Sequence, residues 1–255
     1  MRPQAPAGAA SSETAHAVPR RPDLAREREL WEAGAEVVAG LDEVGRGAWA
    51  GPLVVAAAAL RADDGHGGAL GEVRDSKQLS PARRRELFES VAAACVGWAV
   101  GSASAAECDE LGMSAAQRLA ARRALAGLEI HPDALLLDGR WDFVSEPTGA
   151  PNGDGGFEGP VRTVVGGDAR CVSLAAASIL AKVWRDGLMV QQAARYPAYD
   201  FDRNKGYPCP RHRAALAAWG PSAIHRRSWA FMEHLPCGAP AGEGAATQPR
   251  LLEHR

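Results

Sequence analysis

Cysteine is scarce in this chain, and its placement suggests no framework. Five occur in 255 residues, at Cys95, Cys108, Cys171, Cys209 and Cys237. The number is odd and no C-x-x-C pair occurs, which argues against both a disulfide scaffold and a thiolate zinc site. Reduced thiols in the cytoplasm are the plain reading. Long apolar runs are missing too. The longest, Leu53 to Leu60, is far too short to span a bilayer. The opening M-R-P-Q-A-P-A-G has no apolar h-region, so no secretory signal is expected. Charge of one sign is also lacking: the formal net charge is -2. That excludes the footprint of a wholly basic nucleic-acid binder, though not a local basic groove beside an acidic one. No internal repeat is visible.

What is present suits a soluble globular protein, with 46% hydrophobic and 24% charged residues. The length allows one large domain or two small ones. Residues 1–22 are Ala, Pro, Ser and Arg without periodicity and read as a disordered lead. Residues 236–255 read as a similar tail. The stretches A-D-D-G-H-G-G (62–68) and S-E-P-T-G-A-P-N-G-D-G-G (145–156) read as loops.

Between them the pattern predicts alternating elements. Glu36 to Glu43 and Leu53 to Leu60 read as strands, joined by V-G-R-G-A-W-A-G-P, whose glycines and proline suit a chain reversal. Ser80-Pro81 is an N-cap followed by proline at the first helical position. Leu87, Phe88, Val91 and Cys95 then recur at helical spacing. Val96, Trp98 and Val100 alternate with small residues, as in a third strand. Ser104-x-x-Glu107 and Ser114-x-x-Gln117 both have capping-box spacing and predict two helices, the second running to about Leu128. Ala134 to Leu137 and Val161 to Val165 read as strands, and Leu174 to Arg195 as a long helix. More helix is expected over 210–219 and 229–234. The order predicts an α/β fold with a mixed five-stranded sheet, antiparallel early and parallel later, flanked by helices.

Several carboxylates fall where a core should be. Ala175, Ile179, Val183, Asp186 and Val190 share one stripe of the long helix at about 100° per residue, so Asp186 is expected to face the sheet. The plainer reading of Asp186 is an ion pair with Lys182, four residues back. Asp138 ends the run A-L-L-L, where Asp-Gly is also a turn signal. Asp42 and Glu43 stand side by side at a strand end and repel each other. Neighbouring strand residues face opposite ways, so these two can serve one site only if the strand ends or bulges there. Together the four make a hard-oxygen nest for two divalent cations, Mg²⁺ or Mn²⁺. Such a pair suits in-line phosphodiester hydrolysis, one ion generating the attacking hydroxide and the other stabilising the leaving oxygen.

D-E-V-G-R-G-A-W-A-G-P (42–52), D-S-K-Q-L-S (75–80), L-D-G (137–139), G-D-A (167–169), S-L-A-A-A-S-I-L-A-K-V-W-R-D (173–186), N-K-G-Y-P (204–208) and H-R-R-S-W (225–229) occur in that order. In these seven blocks the chain resembles bacterial ribonuclease HII, the type 2 ribonuclease H, over roughly residues 35–232. The resemblance implies an RNase H-like fold with a helical C-terminal extension. It also implies cleavage of RNA in RNA–DNA hybrids and incision 5′ to a ribonucleotide embedded in duplex DNA, leaving 3′-hydroxyl and 5′-phosphate ends. By motif position Asp42, Glu43, Asp138 and Asp186 correspond to the family's metal-binding acids. Gly45, Arg46 and Gly47 correspond to the loop that senses the 2′-hydroxyl, and Tyr207 to the tyrosine that packs on the next, deoxy sugar. Lys77 and Arg46 are candidate phosphate contacts. His212 and His225 read as structural or phosphate-contacting, the structural reading being favoured. The resemblance further implies that the chain engages RNA–DNA hybrids and ribonucleotide-containing duplex DNA; the missing h-region and the short apolar runs predict a cytoplasmic location with no membrane, and a monomer is expected.

Four positions depart from the family's usual residues: Gly166 where lysine often precedes G-D-A, Trp184 and Cys209 where threonine is common, and Trp229 where phenylalanine is usual. Two other readings compete. One is another RNase H-like metal-dependent nuclease acting on DNA junctions, for which a 2′-hydroxyl sensor has no purpose. The other is a binding protein that has lost catalysis, which requires an acid to be missing.

Overall fold

The computed structural model describes residues 21–63, Leu70, 80–145 and 156–235. Lys77 and Cys237, most of the two expected loops, and nearly all of the expected lead and tail lie outside them. In chain order the elements are α1 (Ala25–Glu32), β1 (Val37–Val44), β2 (Leu53–Arg61), α2 (Pro81–Ala94), β3 (Gly97–Ala103), α3 (Ala105–Leu111), α4 (Met113–Ala126), β4 (Ala134–Asp138), β5 (Val161–Val164), α5 (Val172–Arg195), α6 (Phe201–Asn204) and α7 (Pro210–Trp219). Short 3-10 turns lie at Gly167–Ala169, Pro197–Tyr199 and Ala230–His234. No helix among the described residues is long and apolar enough to cross a membrane.

The strands form one mixed sheet in the order β3-β2-β1-β4-β5. The β1–β2 and β2–β3 pairs are antiparallel; β1–β4 and β4–β5 are parallel. The meander keeps consecutive strands adjacent, while β4 returns to the far side of β1 through α3 and α4, the kind of crossover that parallel pairing requires. Asp133 pins the β1–β4 register, its Oδ2 accepting from the backbone N–H groups of Glu36 and Val37 at 2.9 and 2.8 Å. Leu41 is then level with Leu137. Asp42 and Asp138 each follow that last β1–β4 pair by one residue, still paired to the outer strands, Asp42 with Ala56 and Asp138 with Val164.

Both sheet faces are covered. One carries Ala39, Leu41, Val55, Ala57, Leu135 and Leu137 against the small-residue face of α4, Ala116, Ala120, Ala121 and Ala124. The other carries Val54, Ala56, Ala58 and Leu60 against α2 and the first turns of α5. Each fully buried Leu or Ile contributes roughly 1.5–3 kcal/mol. Gly40 allows α5 to lie directly on β1, because a Cβ there would collide with the backbone of Ser173 and Leu174.

One local expectation needs correction, and one helix was not expected. Ser104 and Glu107 do form a reciprocal capping box at the start of α3. Ser114 does not cap α4, which begins one residue earlier, behind Gly112 at φ 76°. That glycine both closes α3 and opens α4, so Ser114 lies within the first turn and Gln117 is released for another contact. The sequence also gave no sign of α1. Its Glu27 is fully buried and caps α5, Oε1 accepting from the Ser173 N–H at 2.8 Å and from Ser173 Oγ at 2.7 Å. Cys171, at the N-cap position of α5, supplies no side-chain cap.

Candidate active site

Asp42, Asp138 and Asp168 each present a carboxylate oxygen within 4.8 Å of the others. Two come from the C-terminal ends of the parallel pair β1 and β4. The third comes from the 3-10 turn after β5, where it is only 2% exposed. The Gly167 N–H donates to Asp138 Oδ1 at 2.7 Å, tying that turn to the end of β4. Asp42 Oδ1 accepts from the Glu43 N–H at 2.8 Å. Burial pushes the Asp42 carboxyl well above the usual carboxylate range; a hydrogen bond with Ser178 of α5 opposes this, and the charges of Glu43, Asp138 and Asp168 add to it. A nearby cation would act in the opposite direction and favour the charged form. Three carboxylates converging in this way form a donor set that fits a hard divalent ion.

Glu43 lies outside that close group. Strand β1 continues through Val44 in regular register, with Asp42 opposite Ala56 and Glu43 opposite Val55, so the expected bulge is absent. Alternation therefore turns Asp42 toward α5 and Glu43 toward the face that Val55 occupies. Glu43 still acts on Asp42 through its charge.

Asp186 also lies outside the group. Its Oδ1 accepts from Lys182 Nζ at 2.7 Å, the plainer of the two sequence readings. Ser178, Lys182 and Asp186 climb one face of α5 in steps of four, so Asp186 stands about 12 Å along the axis from the serine that meets Asp42. The stripe expected to face inward does so only at first: Ala175 and Ile179 are fully buried, but Val190 is 47% exposed. Beyond the edge of the sheet α5 packs on the C-terminal helices instead, and Arg185 and Met189 become its buried positions.

Arg185 and Arg226 are both fully buried, and their guanidinium groups meet carbonyl oxygens. Arg185 donates to Pro52 at 2.9 Å, Lys205 at 2.9 Å and Ala50 at 3.1 Å. Arg226 donates to Gly45 at 2.7 Å, Arg46 at 2.9 Å and Gly51 at 3.1 Å. The two clamp the loop between β1 and β2 from below. Burial lowers the Arg185 pKa to about 10, still a cation at neutral pH. Gly45 has φ 87°, and a side chain there would strike the Arg185 guanidinium. Gly47 differs: it is exposed, and a Cβ would meet open space. Glycine at 47 therefore serves no packing need within the described chain and leaves room for a ligand. The Arg46 side chain turns onto α4, donating to Gln117 Oε1, with its guanidinium 5.9 Å from the Trp141 ring centroid.

A model of the ribonuclease HII family matches residues 39–232. The chain belongs to the ribonuclease HII family. It is similar to the ribonuclease HII of Streptomyces griseus, 47% identical over 80% of this chain and 81% of that one. It is also similar to that of Paracoccus denitrificans, 45% identical over 85% of this chain and 95% of that one. Among solved structures, ribonuclease H2 from Pyrococcus horikoshii OT3 superposes with a TM-score of 0.63 at 28% identity, covering 78% of this chain and 96% of that one. The RNase H-like fold and the ribonuclease H class expected from the motifs follow.

In this chain Tyr207 joins the loop to the C-terminal helices. Its Oη accepts from the Gly45 N–H at 3.0 Å. Arg185 and Lys182 stand 5.2 and 5.8 Å from its ring centroid. The departures from the family pattern have local accounts. Gly166 adopts φ 62°, a left-handed turn that glycine takes without strain. Cys209 serves as N-cap of α7, its Sγ accepting from the His212 N–H at 3.4 Å. Trp184 packs at the rim of the α2–α5 core. Trp229 packs on the C-terminal core, and among the described residues its indole N–H meets no acceptor.

Asp168 was legible only as part of the G-D-A block, since a residue in a short turn carries no periodic signal. Arg185 and Arg226 were also inside quoted blocks, but charge in a sequence reads as surface.

Proposed function

We propose that this member of the ribonuclease HII family hydrolyses the RNA strand of RNA–DNA hybrids and incises duplex DNA 5′ to an embedded ribonucleotide, leaving 3′-hydroxyl and 5′-phosphate ends. The observation that carries the reading is the convergence of Asp42, Asp138 and Asp168 within 4.8 Å, at the strand ends beside the clamped glycine loop. Asp42, Asp138 and Asp168 would hold divalent metal, with Glu43 adding charge from the other side of the strand end. Mg²⁺ or Mn²⁺ bound there, one ion or two, would supply stabilisation of the charge that builds on the phosphate during in-line attack by water.

The chain's own residues prepare that site. Ser178 of α5 hydrogen-bonds the Asp42 carboxylate and the Glu43 N–H donates to its Oδ1, so the side chain is oriented for a cation. Gly167 holds the Asp138 carboxylate in one orientation. Arg185 and Arg226 fix the loop so that the open face of Gly47 can approach a ribose, whose 2′-hydroxyl separates RNA from DNA. Tyr207 offers a ring for the following deoxy sugar, where a 2′-hydroxyl would be crowded. Asp186 holds Lys182 near that ring. Lys77, and Arg46 once it leaves Gln117, remain candidates for phosphate contacts. Among the described residues Cys95, Cys108, Cys171 and Cys209 are free thiols, which suits a reducing cytoplasm. We take the enzyme to act there as a monomer.

Cleavage-site mapping with Mg²⁺ and with Mn²⁺ on three duplexes tests the reading: one ribonucleotide, several, and a full hybrid. Nicks 5′ to the lone ribonucleotide are expected, and an all-DNA duplex should stay intact. Cutting of all-DNA junctions with no response to a ribonucleotide would instead support a junction nuclease.

A further inference from the structure

Tyr207 is held at two points. Its hydroxyl takes the Gly45 N–H, and its backbone carbonyl lies 3.0 Å from His212 Nδ1. His212 Nε2 lies 2.9 Å from His225 Nε2, and His225 Nδ1 lies 2.9 Å from the Ser222 N–H. Both rings are buried, at 0% and 2% exposure. Trp49, Tyr199 and Phe201 wall them in, with ring centroids 4.7–5.6 Å away.

These contacts allow one arrangement of protons. The Tyr207 carbonyl can only accept, so the hydrogen of neutral His212 sits on Nδ1 and its Nε2 accepts. The hydrogen of His225 then sits on Nε2, and its Nδ1 accepts from the Ser222 N–H at 2.9 Å and from Ser222 Oγ at 2.7 Å. His225 is joined by the chain to Arg226, whose guanidinium holds the Gly45 carbonyl at 2.7 Å. The segment is braced to the same loop by Arg226 N–H to the Trp49 carbonyl at 2.8 Å and Gly51 N–H to the Ile224 carbonyl at 2.8 Å. The connections close a ring: Gly45, Tyr207, His212, His225, Arg226 and back to Gly45. Gly45 is gripped at its N–H by one arm and at its carbonyl by the other.

We propose that His212 and His225 are positioning residues that act through Tyr207: the pair fixes the tyrosine backbone, and thereby the seat of its ring against the loop that reads the ribonucleotide. This rests on the proposed role of Tyr207 at the deoxy sugar. Neither histidine touches substrate or metal. Their effect falls on the choice between substrates, not on the chemical step.

The readout is the ratio of kcat/KM on a duplex with one ribonucleotide to kcat/KM on a full RNA–DNA hybrid. Y207A is expected to lower the ratio. H212F should lower it by at least about threefold, within the range for residues sharing a network. H212N, which keeps a donor toward the Tyr207 carbonyl, should restore most of it. The double variant H212F/Y207A should match Y207A alone. A uniform loss on both substrates in H212F, with the ratio kept, makes the pair a packing element and overturns the proposal. An unchanged ratio in Y207A removes the role of Tyr207 itself, and the proposal with it. A second measurement needs no variant: nitrogen-15 correlation spectra of the wild-type protein should show His212 as the Nδ1–H tautomer and His225 as the Nε2–H tautomer. His212 carrying its hydrogen on Nε2 would contradict the wiring.

Discussion

The guanidinium of Arg226 meets the carbonyl oxygen of Gly45 at 2.7 Å, 181 residues away in sequence. Through that contact the C-terminal helical part becomes the floor of the loop between β1 and β2. It is not an appendage to the sheet.

The first prediction concerns this floor. R226A leaves the carbonyls of Gly45, Arg46 and Gly51 without their donor, and each unsatisfied buried group costs roughly 1–3 kcal/mol. R226K keeps the charge but cannot span all three. Urea unfolding should show both variants destabilised, R226A by several kcal/mol and R226K by less, with cleavage reduced in each. Wild-type stability in R226A would mean the contact does not hold the loop.

A second prediction follows from Glu27. Burial raises its pKa above the usual 4.5, against the hydrogen bonds from Ser173. Between the unfolded value and the higher folded one, the folded chain keeps a proton that the unfolded chain has lost. Rising pH therefore removes stability across that window. E27Q keeps an acceptor for the Ser173 N–H without the charge. Thermal melts should show E27Q at least as stable as wild type above pH 7 and no better below pH 4, whereas E27A loses the cap and melts lower throughout. Equal melting of E27A and wild type would refute the capping role.

The histidine pair carries a third prediction, with the opposite sense. Burial depresses the His225 pKa to about 3, with His212 and Arg227 adding to the effect, and burial also lowers His212. Both groups have folded values below the unfolded value of about 6.5. As pH falls below that value the unfolded chain takes up protons the folded chain refuses, so stability is lost progressively toward about pH 3. The urea midpoint of the wild type should drop more steeply between pH 7 and 5 than that of an H225Q variant. Parallel slopes would show that His225 does not titrate on unfolding.

The sequence made much of this visible, for identifiable reasons. Strands β1 and β2 and the helix α5 are strongly patterned, and Ser80 and Ser104 cap helices as their spacing predicts. Ser114 has the same spacing as Ser104 and does not cap, because Gly112 already supplies the break between helices. Asp186 stands out in the sequence because its helical stripe predicts a face turned toward the sheet along its full length. The sheet ends sooner than the helix, and from there the inward positions are Arg185 and Met189. Asp168 sits in a three-residue turn with no period to betray it. Its role emerges only when β4 and β5 pair and bring that turn to Asp138. Helix α1 is rich in charge, and the burial of Glu27 depends on Ser173, 146 residues on.

Those two aspartates supply the most direct test of the central claim, that carboxylates from β1, β4 and the turn after β5 gather to hold the metal. Manganese binding should be measured by calorimetry alongside nicking of a duplex with one ribonucleotide, for wild type, D168N and D186N. D168N should weaken manganese binding and cut at least about a hundredfold more slowly, while D186N keeps its metal and loses less activity. The reverse order, with D168N binding and cutting like wild type and D186N inert, would contradict the account.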